Sequence, residues 1–509
     1  MIEAGRERST SRLAGYAALT ERYDVDVIPH WHASRVATGS VHRVDSRDGI
    51  VEETFPLRYW PGDGPGDHLE FALKHDGTNL AILAALFGVM PEDDLLAYVR
   101  SRPTGKYARR LWFFHEFLTD RKLPLDDLKQ GNYVDLLEPD AYYTVESSRR
   151  ARRQRINDNL LGDRRFCPTV RRTDILRDFD EADLPARCRG IAARYAPALL
   201  KRALGYLYAR ETKSSFEIEN ITPSSTRAER FVALLRLARR EDFCSKPQLI
   251  DLQNRIVDAR FRDVDYRRAQ NYVGETVALG NERIHFVSPR PEDLGALMDG
   301  LTAAHERMAD GSVPVVIHAA AIGYGFVFLH PFEDGNGRIH RFLIHNILAR
   351  RGFTSADVMV PVSATMLKNA SDYDASLEAF STPLMPLVEY MLDAEGCLTV
   401  HSDTADWYRY PDMTAQAEAL FRFIDRAIDS ELAGELAFLT RYDAARKAIQ
   451  RIVDMPDRQV DLFIRFCGQN NGRLSARKRA SHFGLLSDEE IASMEHAVQS
   501  VYGPGSAGP

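Results

Sequence analysis

The order of apolar and polar residues divides the chain of 509 residues into a short alternating section and a long section with helical spacing. Over residues 24–60, β-branched and aromatic residues alternate with polar ones around Ser/Gly and Asp-Gly turns, which predicts short strands. A turn-rich stretch, PGDGPGD at 61–67, closes this section. From about residue 68, apolar residues recur every three or four positions and predict helices over most of the remainder. We therefore predict a mainly α protein with a small β-containing N-terminal section.

Two apolar segments near the middle of the chain flank a polar loop. Residues 313–330, VPVVIHAAAIGYGFVFLH, are apolar almost throughout and predict a buried helix. Pro331 interrupts this pattern, which resumes at about Gly337 and ends at Gly352, a typical residue just beyond a helix. The stretch between them, HPFEDGNGR, is therefore predicted to be a loop that leads into a helix N-terminus.

Changes in composition along the chain predict four parts. These are a strand-containing N-terminal section, an N-terminal helical domain, a central domain and a C-terminal helical domain, at residues 1–67, 68–210, 211–380 and 381–509. Within the last part, residues 454–498 have the pattern of helix, turn, basic helix, turn and helix, which is compatible with a winged-helix-like module.

The chain has a formal net charge of −7 and a pI near 6.1, so any nucleic-acid contact must come from a local basic patch. The run RRARRQR at 149–155 has acidic neighbours and favours a solvated helix face over such a patch. The five cysteines lack CxxC spacing, which favours reduced thiols in a cytosol-like compartment. No segment has the composition of a signal peptide or a membrane span. We expect a cytoplasmic protein without a membrane partner.

The polar loop and the helix after it concentrate groups that suit a polyphosphate. A helix N-terminus presents unpaired backbone N–H groups, and Gly335 and Gly337 let a bulky anion approach the main chain. Arg338 and Arg341 are three positions apart on one helix face, where two guanidinium groups can hold a chain of phosphates. The side chain of Asn336 can donate to a phosphate oxygen.

Two more residues of this stretch fit metal binding and proton transfer. Asp334 offers a hard oxygen to a Mg²⁺ ion that bridges the same phosphates. His330, with an ordinary pKa of about 6.5, is suited to take a proton from an attacking hydroxyl. Alone, each residue is also typical of an ordinary turn, helix end or surface ion pair. Together they predict transfer from a nucleoside triphosphate to an alcohol.

The stretch HPFEDGNGRIHR at 330–341 resembles the Fic signature, HPFx(D/E)GNGRxxR, at every specified position. The resemblance implies a mostly helical Fic core that uses ATP and Mg²⁺ to transfer AMP to a Ser, Thr or Tyr hydroxyl of a target protein. It implies that His330 is the base, that Phe332 anchors the loop in the core and that Asp334 binds Mg²⁺. The phosphate-binding residues that it implies are Gly335, Asn336, Gly337, Arg338 and Arg341.

A second segment, SFEIEN at 215–220, resembles the inhibitory motif (S/T)xxxE(G/N) that many Fic proteins carry on a helix beside the nucleotide site. The resemblance assigns this motif to Ser215, Glu219 and Asn220, with Ser215 and Glu219 on one helix face. It implies that Glu219 pairs with Arg341 and keeps that arginine from the γ-phosphate, as in class II Fic proteins. The alternative is an ordinary capped helix with an exposed glutamate.

Two further segments match the family less closely. Residues 276–288 alternate around a Gly-Asn turn and predict a β-hairpin, which in the family is a flap that aligns the target by strand addition. Asn369 and Tyr373 lie four positions apart and loosely match the helix that lines the adenine pocket. An aromatic residue at this spacing is also typical of core packing.

Three functions follow from the sequence. The first is a self-inhibited protein adenylyltransferase whose partners are ATP, a target protein and the chain itself, with a homo-oligomer left open. The second is a nucleotide-sensing regulator whose C-terminal module binds DNA through Arg473, Arg477, Lys478 and Arg479. The third is removal of AMP from modified targets, with Glu219 positioning a water molecule.

Overall fold

The computed structural model describes residues 11–40, 42–47, 49–278, 281–393 and 395–502, and it confirms a mainly helical protein. The helices are α1 (Gly15–Tyr23), α2 (Pro65–Phe71), α3 (Leu80–Val89), α4 (Glu92–Ser101), α5 (Lys106–Thr119), α6 (Asp174–Glu181), α7 (Leu184–Ala192), α8 (Pro197–Glu217), α9 (Ser225–Leu237), α10 (Lys246–Ile256), α11 (Pro291–Met308), α12 (Val315–Leu329), α13 (Asn336–Arg350), α14 (Val362–Lys368), α15 (Ala370–Leu384), α16 (Ala405–Arg409), α17 (Thr414–Arg426), α18 (Ala433–Ile452), α19 (Asp457–Gly468), α20 (Ala476–His482) and α21 (Asp488–Tyr502). None of these described helices combines the length and the apolar character that crossing a bilayer requires.

The described strands are short. They are β1 (Ser11–Ala14), β2 (His32–Ala37), β3 (Arg43–Arg47), β4 (Ile50–Pro56), β5 (Val134–Asp135), β6 (Arg149–Ala151), β7 (Ile156–Asp158), β8 (Tyr272–Ala278), β9 (Asn281–Val287), β10 (Tyr390–Leu392) and β11 (Leu398–Val400). Strands β8 and β9 form the predicted antiparallel hairpin, called the flap hairpin below. Gly280 of its predicted turn lies outside the described residues.

Two compact units make up the chain. The first holds the described residues up to Asp183 together with Thr212–Phe353 and Met366–Phe423, and it contains all the described strands. The second holds Leu184–Glu211, Thr354–Thr365 and the residues from Ile424 onward. The four-part division predicted from composition stays a prediction.

The N-terminal section contains the predicted strands. Strands β1 to β4 form one sheet in the order β1-β2-β4-β3, in which β2 and β4 run parallel. The prediction missed α1, and it also assigned residues 61–67 to turns alone. Pro65 in fact begins α2, because the fixed φ of proline suits the first position of a helix.

The basic run at 149–155 is a strand and a turn, so the predicted helix face was wrong. Residues 149–151 form β6, which pairs with β7. The Arg153 guanidinium donates to the carbonyls of Leu123 (2.6 Å) and Leu125 (2.7 Å). Arg155 donates to three more carbonyls of the same loop, those of Leu128, Lys129 and Gly131. These two arginines therefore hold a loop in place.

Helices α12 and α13 lie on either side of the motif loop at 330–335, and both are largely buried. Every residue of α12 from Val316 to Phe326 is buried, which confirms the predicted buried helix. His330 ends α12 in the left-handed region with φ 49°, and Gly335, with φ 94°, precedes α13. Between them, Phe332 is fully buried against Tyr266 and Phe326, so the loop is anchored in the core.

The C-terminal part of the second unit is helical, as predicted. Its core is formed by buried apolar residues of α18, α19 and α21, which include Ile449, Val460, Phe463, Met494 and Val498. Among the described residues 424–502 there is no strand, so the wing of a winged helix is not seen in this part of the chain.

Candidate active site

The loop at 330–335 is held in place by the side chain of Asn336, the first residue of α13. The Asn336 side-chain oxygen accepts from the Phe332 N–H at 3.1 Å, and its amide nitrogen donates to the Phe332 carbonyl at 2.7 Å. Both polar atoms of this side chain are thus used within the loop, although the sequence predicted that it donates to a phosphate. The group that Asn336 presents at the start of α13 is its backbone N–H.

Four polar residues, one in α10 and three after it, support the same loop from outside. Gln253 donates to the Asp334 carbonyl (3.4 Å), the Asp263 carboxylate accepts from the Glu333 N–H (3.4 Å), and Asn271 donates to the Phe332 carbonyl (3.2 Å). Arg267 donates to the His330 carbonyl at 2.8 Å. Sequence reasoning missed these residues, because they lie scattered over 253–271 and contact the loop only in the folded chain.

The His330 ring is set up to accept a proton. Its Nδ1 lies 3.0 Å from the Val327 carbonyl oxygen, which can only accept, so Nδ1 carries the hydrogen and Nε2 has a free lone pair. The pKa of His330 is lowered to about 4, mainly by burial and to a smaller extent by the nearby Arg267 charge. The Val327 contact and the Glu219 charge oppose this shift. The imidazole is therefore neutral at pH 7.

The start of α13 is shaped to receive an anion. The first backbone N–H groups of a helix have no partner within it, and here they follow Gly335 in the left-handed conformation. A Cβ on Gly337 would lie 2.6 Å from Glu219 Oε1, so only glycine leaves room for a negatively charged oxygen at this point. In this structure, that oxygen belongs to the Glu219 carboxylate.

Glu219 bridges both arginines of the motif. Its Oε1 lies 2.7 Å from Arg341 Nη2, and its Oε2 lies 2.6 Å from Arg338 Nε. The side chains of Arg338 and Arg341 are 0% and 2% exposed, whereas that of Glu219 is 25% exposed. The sequence resemblance implied a pair with Arg341 alone. One carboxylate therefore forms ion pairs with two buried cations.

Arg341 has several further contacts. Its Nε donates to Ser215 Oγ at 3.1 Å, its Nη2 donates to the Ser215 carbonyl at 2.6 Å, and its Nη1 donates to the Tyr373 hydroxyl at 3.3 Å. In contrast, Nε and Nη1 of Arg338 are buried and form no hydrogen bond among the described residues, and of these two only Nε is ion-paired with Glu219. The guanidinium of Arg338 lies 5.4 Å from the centre of the Phe216 ring. The site thus holds one fully engaged guanidinium and one with an unused donor.

The predicted inhibitory segment straddles a helix end. Ser215 is the third residue from the end of α8, which finishes at Glu217, so Glu219 lies in the following turn and not on a helix face. The turn is closed by a hydrogen bond from the Ile221 N–H to the Phe216 carbonyl (3.1 Å), and Asn220 is left-handed with φ 55°. This turn directs Glu219 onto the start of α13.

The two residues predicted for an adenine pocket lie near the start of α15. Tyr373 is 5% exposed, and its hydroxyl faces Arg341 while its ring stacks on His340 at 6.2 Å. Asn369 precedes the helix, and its carbonyl accepts from the Asp372 and Tyr373 N–H groups. The structure brings Tyr373 to the arginines; the adenine role of both residues stays a prediction.

Asp334 is the predicted metal ligand. Its Oδ1 lies 2.5 Å from Arg338 Nη2, and its side chain is 39% exposed. A partly exposed carboxylate just before a helix N-terminus suits Mg²⁺, which commonly takes one or two protein carboxylates and completes its shell with phosphate oxygens and water. The residues present therefore fit a magnesium–nucleotide complex.

A second cluster of candidate metal ligands consists of Asp242, Cys244 and His305. Arg351 can only donate, and it lies 3.2 Å from His318 Nδ1, so His318 Nε2 donates to His305 Nδ1 at 3.0 Å. His305 Nε2 then donates to Asp242 at 3.1 Å, and Arg350 pairs with the same carboxylate at 2.5 Å. Both ring nitrogens of His305 are thus used in a chain of hydrogen bonds.

Comparison with known proteins shows which family model and which relatives this chain resembles. The family model described as "Fic/DOC family" matches residues 243–348. "Protein adenylyltransferase Fic" of Aedes aegypti is 28% identical over 160 residues, which is 31% of this chain and 29% of that protein. The protein of the same description from Drosophila grimshawi is 30% identical over 129 residues, 25% of this chain and 23% of that protein. The chain thus matches less than a third of the length of these relatives.

Two solved structures are also similar. A Fic family protein from Desulfovibrio desulfuricans G20 gives a TM-score of 0.37 at 19% identity, over 62% of this chain and 85% of that one. A Fic domain containing signaling protein from Bacteroides thetaiotaomicron VPI-5482 gives a TM-score of 0.35 at 20% identity, over 51% of this chain and 94% of that one.

Proposed function

We propose that this chain, whose residues 243–348 match the Fic/DOC family model, is a self-inhibited protein adenylyltransferase. A hydroxyl oxygen of a Ser, Thr or Tyr side chain attacks the α-phosphorus of ATP. The bond from that phosphorus to the bridging oxygen of the β-phosphate breaks, and pyrophosphate leaves. The observation that carries the proposal is the Glu219 carboxylate, which lies between Arg338 and Arg341 beside the His330 loop.

The role proposed for His330 is general base. A base must be unprotonated and must present a lone pair to the attacking hydroxyl. The lowered pKa of His330 meets the first condition, and the hydrogen bond from Nδ1 to Val327 meets the second by leaving Nε2 free. The proton of the target hydroxyl passes to Nε2 as the new P–O bond forms.

The phosphates are proposed to bind at the start of α13. Its first N–H groups and the positive end of its dipole favour a polyphosphate, and Gly337 lacks the Cβ that would occupy the anion position beside Arg341. Arg338 and Arg341 supply the compensating positive charge, and the unused Nη1 of Arg338 is a donor in place for a phosphate oxygen. The cations and donors of this site therefore suit the β- and γ-phosphates.

Mg²⁺ is proposed as the metal ion of the reaction, with Asp334 as its protein ligand. When bound, it would neutralise phosphate charge that develops as pyrophosphate leaves. Asp334 must turn part of its interaction from Arg338 to the metal, and its partial exposure permits this.

Self-inhibition is proposed to act by competition between anions. Glu219 already pairs with both arginines, so the γ-phosphate meets occupied cations and a negative carboxylate. ATP then lacks the contacts that place its α-phosphorus in line with His330. Release of Glu219 from this position frees both cations and allows productive binding.

The central experiment compares four forms of the full chain in labelling by α-³²P-ATP with Mg²⁺. We expect Glu219→Gly to raise self-labelling strongly over the unmodified chain, and His330→Ala in that background to abolish it. His330→Ala alone provides the remaining control. If no form becomes labelled, although calorimetry shows that the Glu219→Gly variant binds magnesium–ATP, the proposed transfer reaction is wrong.

Removal of AMP, DNA binding and assembly into a homo-oligomer stay predictions, as do the target protein and the cytoplasmic location. Two of the four basic residues assigned to DNA have other contacts in the structure. Arg479 is ion-paired with Asp488, and the Lys478 amino group lies 4.1 Å from the centre of the Phe466 ring. The basic helix therefore does not favour DNA binding over transfer as the function.

A further inference from the structure

Arg267 is a buried arginine that takes no direct part in the proposed transfer step. Its side chain donates to three carbonyl oxygens, those of His330 (2.8 Å), Ala269 (2.9 Å) and Pro289 (2.6 Å). Its backbone N–H donates to the carbonyl of Pro331 at 2.8 Å. The residue is only 5% exposed, and it forms no ion pair with a carboxylate in the described part of the chain.

The three carbonyls belong to three different segments. Ala269 lies just before strand β8 and Pro289 just after strand β9, so these two carbonyls mark both ends of the flap hairpin. The third carbonyl is that of His330 itself. One planar guanidinium therefore joins both ends of the hairpin to the proposed catalytic base.

This arrangement depends on the shape of arginine. A guanidinium presents five N–H donors in a fixed fork, whereas a lysine ammonium is a single point at the end of a flexible stem. Lysine at this position would keep the charge but could not reach all three carbonyls at once. A carbonyl left without a donor would destabilise the arrangement, most of all that of Pro289, whose hydrogen bond with Arg267 is buried.

Arg267 also fixes the backbone of His330. His330 has φ 49°, a backbone conformation that residues other than glycine seldom adopt. Surrounding contacts must stabilise such a conformation. Arg267 provides two such contacts, one to the His330 carbonyl and one to the Pro331 carbonyl. Together with the hydrogen bond from Nδ1 to Val327, they determine where Nε2 points.

We propose that Arg267 is a positioning residue that couples the flap hairpin to His330, so that the strand presented to a target and the atom that takes its proton keep one geometry. This inference rests on the proposed function and extends it, because it names a residue through which target alignment and proton transfer are linked. The charged groups that act on the His330 ring are Arg267, which disfavours its protonation, and Glu219, which favours it.

The test uses Arg267→Gln and Arg267→Lys in the Glu219→Gly background, with the same changes at exposed Arg268 as matched controls. Both Arg267 variants should lower the maximal self-labelling rate at least tenfold, with the half-saturating magnesium–ATP concentration changed less than twofold. Arg267→Gln, which removes the charge, should also move the acidic limb of the pH–rate profile to higher pH, whereas Arg267→Lys should leave that limb in place. The Arg268 variants should match their parent.

A readout without activity separates this inference from the proposed function. The pKa of His330 is measured by NMR on protein with ¹³C-labelled histidine, with His330→Ala used to assign the resonance, and it should rise in Arg267→Gln. Thermal unfolding identifies a variant that does not fold, in which case Arg267→Lys decides. A labelling rate within twofold of the parent, or an unchanged His330 pKa in folded Arg267→Gln, overturns the inference. Absence of labelling in the Glu219→Gly parent instead refutes the proposed function.

Discussion

Replacement of Glu219 by Gln tests how strongly the bridging carboxylate restrains the site. Gln keeps the size and one acceptor oxygen, but its amide nitrogen can only donate, so one of the two contacts at 2.6 Å and 2.7 Å loses its acceptor. The other contact remains a hydrogen bond from a charged arginine. A hydrogen bond to a charged group contributes about 1.5–3 kcal/mol, so the replacement weakens the bridge by about that amount.

This free energy sets the expected rate. If inhibition reflects the fraction of molecules whose arginines are free, each 1.4 kcal/mol changes that fraction by a factor of about ten. We therefore expect the initial self-labelling rate at low magnesium–ATP concentration to rise roughly 10-fold to 150-fold in Glu219→Gln. Glu217→Gln is the matched control, because Glu217 is an exposed glutamate two positions earlier in the chain, and its rate should equal that of the unmodified chain.

The assay is the initial rate of label incorporation from α-³²P-ATP, measured at one low nucleotide concentration for all three proteins. A rise of less than threefold in Glu219→Gln, in a protein that unfolds at the normal temperature, would show that the charge of Glu219 does not limit the reaction. The competition between anions would then be the wrong account of inhibition, even if transfer itself takes place.

Two smaller perturbations follow from the same contacts. Ser215→Ala removes the hydroxyl that accepts from Arg341 Nε at 3.1 Å but leaves the Ser215 carbonyl and Glu219 in place. The lost hydrogen bond contributes about 1 kcal/mol, so the self-labelling rate should rise only about fivefold. A rise equal to that of Glu219→Gln would contradict this ranking. Because burial lowers the pKa of His330 to about 4, the base stays neutral as pH falls through 6.5, and loss of Glu219 removes a charge that favours its protonation. The labelling rate of the Glu219→Gly variant should therefore be flat from pH 8 to pH 5 and fall only below that, whereas an inflection near pH 6.5 in the pH–rate profile would show an unshifted histidine.

The parts of the fold that could be predicted from sequence are those set by local patterns. The continuous apolar run before His330 fixed α12 as a buried helix, and the alternation over 276–288 indicated the flap hairpin. Strands β5 to β7 and β10 to β11 contain only two or three residues each, too few for alternation to be recognised. Their pairing depends on contacts with segments distant in sequence.

The basic run at 149–155 shows a second limit. Its composition allowed two interpretations, a solvated helix face or a nucleic-acid-binding patch. Both of them predicted that the positive charges face the solvent. In the structure, Arg153 and Arg155 instead donate to five backbone carbonyls of the loop at 123–131. Charge patterning cannot reveal this use of arginine, because the acceptors are main-chain groups that every residue carries.

The contact of Glu219 with Arg338 and Arg341 combines both situations. The sequence implied that Glu219 meets Arg341, but the bridge to Arg338 depends on the turn that follows α8, where Glu219 leaves the helix face. Gly337 is then needed twice: its missing Cβ admits a phosphate to the helix end in the proposed reaction, and it admits the Glu219 carboxylate in this structure. Since the two anions use the same space and the same cations, a mutation at Gly337 cannot relieve inhibition without also obstructing the nucleotide. Only changes in the segment that carries Glu219 can separate the two.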